Sequence, residues 1–210
     1  MRTRNFKKTR KPHKMIFVVC EGDTEQAYVE MLKRYYRLPI TVKTKVSGNR
    51  INSKLLNQYI AELGLDKEYE CIVFLMYDGD VKAVVDRLNS LKGTLILSTP
   101  CIEYWFLIHS LNHVGYIESK EVVRKLIASD SVWAGYTKGR FTENQAAHLV
   151  KNRIIACERG KKLMWPDNPS SNLHLFIDTL EREKIHETTR KSPFQVLKAS
   201  FLTVFSSETT

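Results

Sequence analysis

The chain has 210 residues, of which 43% are hydrophobic and 27% charged, a composition typical of a globular protein of one domain or one domain with an appendage. Its 33 Lys and Arg outnumber its 23 Asp and Glu, so the formal net charge is +10. No apolar run approaches the roughly 18–20 residues of a membrane span, and the short apolar segment after the basic start is unlike a secretory signal peptide. The sequence therefore predicts a soluble, cytoplasmic protein without a membrane partner.

The four cysteines exclude two further classes of protein. Cys20, Cys71, Cys101 and Cys157 are far apart in the sequence, with no CxxC pair and no neighbouring cluster of histidines. This spacing argues against a disulfide framework and against a zinc site. Three of the four lie inside or beside apolar runs, where we expect buried free thiols instead.

Much of the positive charge lies in residues 1–14, which carry seven Lys or Arg and no acid. Without this basic N-terminal arm the surplus of positive charge falls to three, so the rest of the chain is only mildly basic. Such an arm is suited to binding a phosphate backbone through counterion release, and equally to serving as a solubilising tail or as a docking segment for a partner. Its candidate nucleic-acid contacts are Lys7, Lys8, Arg10 and Lys11.

Strands and helices alternate from residue 15 to about residue 111. Apolar runs predict buried strands at 15–20, 71–77 and 94–98, and alternation predicts an edge or half-exposed strand at 40–46. Helical periodicity predicts a helix that is capped by Asp23 or Thr24 and ends near Leu38, and further helices at 51–63, 81–91 and 101–111. This order indicates βαβ units, and therefore an α/β fold with a mostly parallel sheet flanked by helices.

From about residue 116 the pattern becomes mainly helical. Amphipathic helices are predicted at 118–128, 142–158 and 170–183, and the apolar stretch at 194–205 fits either a short helix or an added edge strand. The sequence thus predicts three parts, which are the basic arm at 1–14, an α/β domain at 15–115 and a mainly helical C-terminal extension at 116–210.

Acidic residues follow the three buried strands of the predicted sheet. Glu21 follows the first strand, and Asp78 and Asp80 follow the second. Glu103 lies in the first turn of the helix after the third, and Glu25 lies one helical turn beyond Glu21. Ligands of α/β sheets bind beyond the carboxyl ends of the strands, so we expect these carboxylates to converge. Because crowded carboxylates need a proton or a cation, and Mg²⁺ takes oxygen ligands, the sequence predicts a Mg²⁺ site, with Mn²⁺ as the alternative metal.

Four short motifs in a fixed order resemble those of the RloB-like family. They are Cys20-Glu21-Gly22-Asp23-Thr24-Glu25, Tyr77-Asp78-Gly79-Asp80, Pro100-Cys101-Ile102-Glu103-Tyr104-Trp105-Phe106-Leu107 and Asn168-Pro169-Ser170-Ser171-Asn172-Leu173-His174. The resemblance extends from about Ile16 to Leu180. RloB-like proteins are small bacterial and archaeal proteins with a TOPRIM-type domain, often encoded beside an ABC-type ATPase and associated with defence against phage.

The resemblance implies roles for the acids. In TOPRIM domains a glutamate after the first strand and a later Asp-x-Asp assemble a Mg²⁺ site for phosphodiester chemistry on nucleic acids. Glu21 matches that glutamate, as a general acid/base or a metal ligand, and Asp78 and Asp80 match the metal-binding pair. Glu25 and Glu103 match further acids of the family and are implied as ligands of a second metal. Position 82 is a lysine where topoisomerases carry a third aspartate, which favours hydrolysis over strand rejoining.

Basic residues of the helical part are candidate contacts to nucleic acid. Lys161 is the candidate cation beside the leaving group, with Lys162, Arg159 and Arg140 as the other candidates for that role. The candidate contacts to the phosphate backbone of the nucleic acid are Arg140, Arg153 and Lys162. Trp133, Tyr136 and Trp165 lie among these cations, a pattern suited to stacking on unpaired bases. Trp105 and Phe106 are instead expected in the core.

The predicted metal site, together with the resemblance, implies a Mg²⁺-dependent nuclease that acts on RNA or DNA. The resemblance adds an effector role in antiphage defence and control by an ABC-type ATPase partner. The alternative is a non-catalytic module, in which the acids hold a structural cation or cap helices while the basic surfaces bind nucleic acid or a partner. A topoisomerase-like or nucleotide-polymerising enzyme is a third, weaker interpretation. A homo-oligomer is compatible with each of them.

Overall fold

The computed structural model of the chain describes residues 13–38, 40–66 and 69–191. Most of the basic arm and the apolar stretch at 194–205 therefore lie outside the described residues. Within them the predicted fold class is confirmed, because a mostly parallel sheet is flanked by helices and the C-terminal part is mainly helical. None of the helices in these ranges is long and apolar enough to span a membrane.

A five-stranded sheet with the order β2–β1–β3–β4–β5 forms the centre of the fold. Its strands are β1 (His13–Cys20), β2 (Thr41–Val46), β3 (Tyr69–Asp78), β4 (Thr94–Thr99) and β5 (Ser170–Ser171). The first four are parallel, and β5 runs antiparallel to β4. Because β2 and β3 lie on opposite sides of β1, the direction of winding reverses at β1. Ligands of such sheets bind at this reversal, beyond the carboxyl ends of the strands.

Helices cover both faces of the sheet. The described residues form α1 (Asp23–Tyr36), α2 (Ser53–Glu62), α3 (Lys82–Leu88), α4 (Ile102–Ser110), α5 (Ser119–Ser129), α6 (Glu143–Lys161) and α7 (His174–Lys191). Successive side chains of a strand point to opposite faces. Phe17 and Val19 of β1 therefore pack with α2 and α3, whereas Ile16 and Val18 pack with the other five helices in a larger core.

Helix α4 lies in the middle of the larger core. Every residue from Ile102 to His109 is buried, including Trp105 and Phe106, which confirms their predicted place in the core. The indole N–H of Trp105 donates a hydrogen bond to the hydroxyl of Tyr28 over 2.8 Å. A helix that is apolar on all sides is stable only when it is covered on all sides, and α4 contacts β4, α5 and α6. The first turn of α4 is thereby held in a fixed position relative to the sheet.

The C-terminal part completes one edge of the sheet. Beside β5, the Asn172 side chain accepts a hydrogen bond from the N–H of Leu97 over 2.7 Å and donates one to the carbonyl of Leu95 over 3.0 Å. The helix predicted at 170–183 therefore begins later, at His174, because the residues before it pair with β4.

Contacts also bridge the boundary that the sequence predicts near residue 115. The guanidinium group of Arg159 on α6 donates a hydrogen bond to the backbone carbonyl of Ile108 on α4 over 2.7 Å. The ring of Phe176 on α7 packs edge-on against that of Phe74 on β3, with 5.0 Å between centroids. Residues on the two sides of the boundary thus share one apolar core.

Candidate functional site

Acidic side chains meet at the carboxyl ends of β1, β3 and β4. Oε2 of Glu21, which follows β1, accepts a hydrogen bond from the backbone N–H of Asp78 at the end of β3 over 2.8 Å. Oδ1 of Asp78 accepts one from the backbone N–H of Ile102 over 2.9 Å, at the start of α4. Glu103 is the next residue of that helix. The structure thus links Glu21, Asp78 and the helix of Glu103 at one edge of the sheet.

Glu25 extends this group from the first turn of α1. Its Oε2 accepts a hydrogen bond from the backbone N–H of Gly22 over 3.0 Å. Gly22 occupies the N-cap position of α1, so the expectation that Asp23 or Thr24 caps this helix is wrong. The carboxylate of Glu25 is buried, and this burial raises its pKa to about 7. We refer below to Glu21, Glu25, Asp78, Asp80 and Glu103 as the acid cluster.

Burial and mutual repulsion disfavour negative charge in the acid cluster. Burial raises the pKa of Asp78 to about 9, and the charges of Glu25, Glu21 and Glu103 contribute to the same shift. Burial also raises the pKa of Glu21, although the hydrogen bond from the Asp78 N–H acts in the opposite direction. Burial and repulsion of this kind favour the protonated form of a carboxylate unless a cation compensates its charge.

Glu103 is the most deeply buried member of the acid cluster. Its Oε1 accepts a hydrogen bond from the hydroxyl of Tyr136 over 3.1 Å and lies 3.1 Å from Nζ of Lys138. Its Oε2 is buried and has no hydrogen-bond partner among the described residues, as is also true of the hydroxyl of Thr99 at the end of β4. A buried polar atom without a partner is costly and marks the place of a missing ligand, ion or water.

The Asp-Gly-Asp turn lies over the end of β4. The N–H of Gly79 donates a hydrogen bond to the carbonyl of Ser98 over 2.8 Å. A Cβ atom at position 79 would overlap the Thr99 hydroxyl, so glycine is required by this close approach. Asp80 follows as an exposed residue, and its charge contributes to the raised pKa of Glu21. Asp80 thus forms the solvent-facing side of the acid cluster.

We tested whether these residues fit a divalent cation. Their donor atoms are all carboxylate oxygens, which Mg²⁺ and Mn²⁺ prefer, and the unpartnered Oε2 of Glu103 offers one ligand position. In the described ranges, however, no three His, Cys, Asp or Glu side chains are grouped so that they could hold a metal ion as they stand. Glu21, Glu25 and Asp78 accept hydrogen bonds from backbone N–H groups instead. The acid cluster therefore fits a cation in chemistry and charge, and binding requires its side chains to rotate.

Sequence reasoning missed the contact of Lys138 with Glu103. The segment 135–140 folds back onto α1, where the N–H of Gly139 donates a hydrogen bond to the Thr24 hydroxyl over 3.0 Å. Gly135 and Gly139 have φ angles of 72° and 76°, a left-handed conformation that favours glycine. Lys138 therefore reaches Glu103 through a turn, which no local periodicity could reveal.

The structure does not bring Lys161 to the acid cluster. Nζ of Lys161 pairs with Asp178 on α7 over 3.1 Å, because the end of α6 lies beside that helix. Arg153 is similarly engaged, since its Nε lies 3.0 Å from Oε1 of Glu181. Arg159 donates a hydrogen bond to the backbone carbonyl of Ile108, whereas Arg140 and Lys162 have exposed side chains. The arm residues Lys7, Lys8, Arg10 and Lys11 lie outside the described residues.

Two of the three aromatic residues predicted to stack on bases are in the core instead. Trp133 is buried and lies nearly parallel to Phe106, with 6.1 Å between ring centroids. Tyr136 is also buried, and its hydroxyl contacts Glu103. The stacking role is therefore wrong for both, because α4 and α5 need aromatic side chains to fill the space between them. Trp165 is the one of the three with an exposed side chain.

Comparison with known proteins identifies the family. The model of the RloB-like protein family matches residues 16–180, which contain the acid cluster and all four sequence motifs. The chain therefore belongs to the RloB-like family. Searches of the curated proteins and of the solved structures found no match.

Proposed function

We propose that this RloB-like protein is a Mg²⁺-dependent nuclease that hydrolyses phosphodiester bonds of RNA or DNA, with Mn²⁺ as an alternative metal. The observation that carries the proposal is the acid cluster itself. Side chains from three adjacent strand ends meet at the reversal point of the sheet, where burial raises the pKa of Asp78 to about 9 and Oε2 of Glu103 lacks a partner. Buried ionisable groups with strongly shifted pKa values mark functional sites.

The residues of the acid cluster divide into two roles. Asp78, Asp80, Glu103 and Glu25 would hold the metal through carboxylate oxygens. When bound, Mg²⁺ supplies stabilisation of negative charge on a phosphate and lowers the pKa of water. Glu21 is the candidate base, because it is half-buried and its pKa is raised towards the range in which a carboxylate accepts a proton effectively. The hydrogen bond from the Asp78 N–H keeps its carboxylate oriented.

The surface along α1, next to the segment that carries Lys138, is suited to a phosphate backbone. A cavity of about 380 Å³ lies there, and its lining includes Arg34 and Arg140 as well as one acid, Glu30. Both arginine side chains are exposed and are therefore accessible to phosphate groups, which arginine binds through two parallel hydrogen bonds. We propose that a nucleic-acid strand reaches the acid cluster along this side of α1.

The biological role that we propose rests on the family. Membership of the RloB-like family supports an effector role in antiphage defence, exercised in the cytoplasm under the control of an ABC-type ATPase. Control by a partner protein also has a physical rationale, since an unrestrained nuclease would damage the nucleic acids of its own cell.

One observation favours a second candidate function. Glu21, Glu25 and Asp78 each accept a hydrogen bond from a backbone N–H, which is what carboxylates with a purely structural role do. In a non-catalytic module these bonds would join β1, β3 and α4, while the exposed cations bind nucleic acid or the partner. The two candidate functions differ in whether the negative charges of Asp78 and Asp80 are needed for the biological activity of the protein.

The deciding experiment measures cleavage of labelled single-stranded and duplex RNA and DNA in Mg²⁺, in Mn²⁺ and in EDTA. The protein is assayed alone and with an ABC-type ATPase, if one is encoded beside its gene. We expect metal-dependent cleavage that is lost in the Asp78→Asn and Asp80→Asn variants. The matched control is Asp86→Asn, which changes an exposed acid of α3 that forms an ion pair with the neighbouring Lys82.

Two results would contradict the nuclease proposal. The first is the absence of cleavage in every arm of the assay, including those with the ATPase. The second is phage protection that survives in Asp78→Asn and Asp80→Asn cells. Both results together would establish the non-catalytic module.

A further inference from the structure

The ammonium group of Lys138 occupies the position of a cation in the acid cluster. Its Nζ lies 3.1 Å from Oε1 of Glu103, and its side chain is 64% exposed whereas that of Glu103 is 1% exposed. The glutamate is fixed by the packing of α4, but the lysine can rotate into solvent with little loss of packing. Of the two partners in this ion pair, only Lys138 is free to leave.

The segment that carries Lys138 is attached to the site by a different residue. Gly139 donates its N–H to the hydroxyl of Thr24 and packs closely on Asp23, so that a Cβ at position 139 would lie 3.2 Å from the Asp23 Cβ. This anchor keeps the backbone next to the acid cluster whether or not the lysine is paired. A released Lys138 would therefore stay close to any phosphate that binds there.

We propose that Lys138 is a displaceable cation that couples metal binding to nucleic-acid binding. Without a divalent cation, its ammonium group neutralises Glu103. A divalent cation replaces it, because two positive groups at one carboxylate repel each other, and the released ammonium then contacts a phosphate of the nucleic acid. This inference rests on the proposed function, since it requires the acid cluster to bind a divalent cation.

The inference predicts that Lys138 contributes to nucleic-acid binding only when metal is present. Binding of a fluorescent single-stranded oligonucleotide is measured over a range of salt concentrations, in EDTA and in Ca²⁺, with gels to verify that the oligonucleotide stays intact. Each phosphate contact of a lysine contributes about 0.7 to the slope of log K against log salt on a single strand. We expect Lys138→Ala to lower the slope by this amount in Ca²⁺ and to leave it unchanged in EDTA.

The control variant is Lys92→Ala, which removes an exposed lysine before β4, at the end of the sheet opposite to the acid cluster. It should leave the slope unchanged under both conditions. Thermal unfolding of each variant establishes that it is folded. Equal slopes for Lys138→Ala and wild type in Ca²⁺, or an equal reduction in EDTA and in Ca²⁺, would overturn the inference.

A second measurement follows the release of Lys138 from Glu103 in the wild-type protein. The pairing of the Lys138 amine with Glu103 should slow its reaction with an amine-acylating reagent. We expect Mg²⁺ to increase acylation of Lys138, as detected by mass spectrometry, and an oligonucleotide to reverse the increase. If calorimetry shows Mg²⁺ binding while this acylation is unchanged, the inference is wrong and the nuclease proposal stands. If calorimetry shows that the wild type binds neither Mg²⁺ nor Mn²⁺, both this inference and the proposed function are wrong.

Discussion

Glu21 and Asp78 are joined by a hydrogen bond from the backbone N–H of Asp78 to Oε2 of Glu21, over 2.8 Å. The bond ties the residue after β1 to the last residue of β3, at the reversal point of the sheet. The Glu21 side chain thus has two roles, since it accepts a hydrogen bond from a backbone N–H and belongs to the acid cluster. Substitutions at Glu21 can separate these roles.

Glu21→Gln should abolish activity while leaving the fold intact. Glutamine retains an oxygen that accepts the Asp78 N–H but has no negative charge to accept a proton from water. Glu21→Ala leaves that N–H without a partner, which costs about 1–3 kcal/mol. Urea unfolding should therefore separate the two variants, whereas cleavage assays should find both inactive. Full activity of Glu21→Gln would show that the charge of Glu21 is not used.

Asp78→Asn should stabilise the protein in EDTA. Burial and the neighbouring carboxylates disfavour a charge at this position, and asparagine keeps an oxygen that accepts the Ile102 N–H. We expect the free energy of unfolding in EDTA at pH 7 to rise by about 1–3 kcal/mol.

The same variant should lose the response to metal. Added Mg²⁺ should raise the melting temperature of the wild type, because a ligand of the native state stabilises it, and should have little effect on Asp78→Asn. A variant that is less stable than the wild type in EDTA would show that the Asp78 charge is compensated within the protein itself.

Gly79→Ala should destabilise the fold through Thr99. The new methyl group would overlap the buried Thr99 hydroxyl, and overpacking of this kind costs about 1–3 kcal/mol. Thr99→Ala removes that hydroxyl, so the double variant should recover most of the lost stability. Denaturant unfolding of the two single variants and the double variant gives the coupling energy. Additive effects would show that the two positions do not contact each other.

His109 should make the protein less stable as the pH falls. Burial lowers the pKa of His109 to about 3, so it stays neutral in the folded state while the unfolded chain takes up a proton below about pH 6.5. Stability is therefore lost progressively from about pH 6.5 towards pH 3, at up to about 1.4 kcal/mol per pH unit. His109→Gln removes this contribution. The plot of the free energy of unfolding against pH should therefore become less steep, by the equivalent of one bound proton. Parallel profiles for variant and wild type would contradict the prediction.

Asn172→Ala should loosen the edge of the sheet. The substitution leaves the N–H of Leu97 and the carbonyl of Leu95 without their side-chain partner, at a cost of about 1–3 kcal/mol for each buried group. We expect faster hydrogen exchange in β4 than in the wild type. Asn89→Ala, at the exposed end of α3, is the control. Unchanged exchange at Leu97 would show that water replaces the amide fully.

The strands were predictable because burial on both faces produces uninterrupted apolar runs. Glu21 and Asp78 were visible for the same reason, since each lies directly after such a run. The two-residue strand β5 was not predictable, because Ser170 and Ser171 are too few to show a period and are paired by a contact with β4. The helix that follows β5, α7, was consequently predicted to begin too early.

Long-range contacts explain the other differences. Lys138 and Lys161 are both lysines in polar surroundings, and only the folded chain shows that the first reaches Glu103 and the second Asp178. Trp133 and Tyr136 lie among cations in the sequence, which is typical of a nucleic-acid surface. In the structure they fill the core beside α4, because a helix buried on every side needs large side chains around it.

The shared core has a consequence for how this protein can be divided or recombined. Glu103 enters the acid cluster from the N-terminal half, whereas Tyr136 and Lys138, which contact it, come from the C-terminal half. A fragment cut at residue 115 would leave Glu103 without its counter-charge and the apolar α4 open to water. The two halves therefore cannot be shuffled like independent modules, and a chimaera must exchange both at once to inherit a working site.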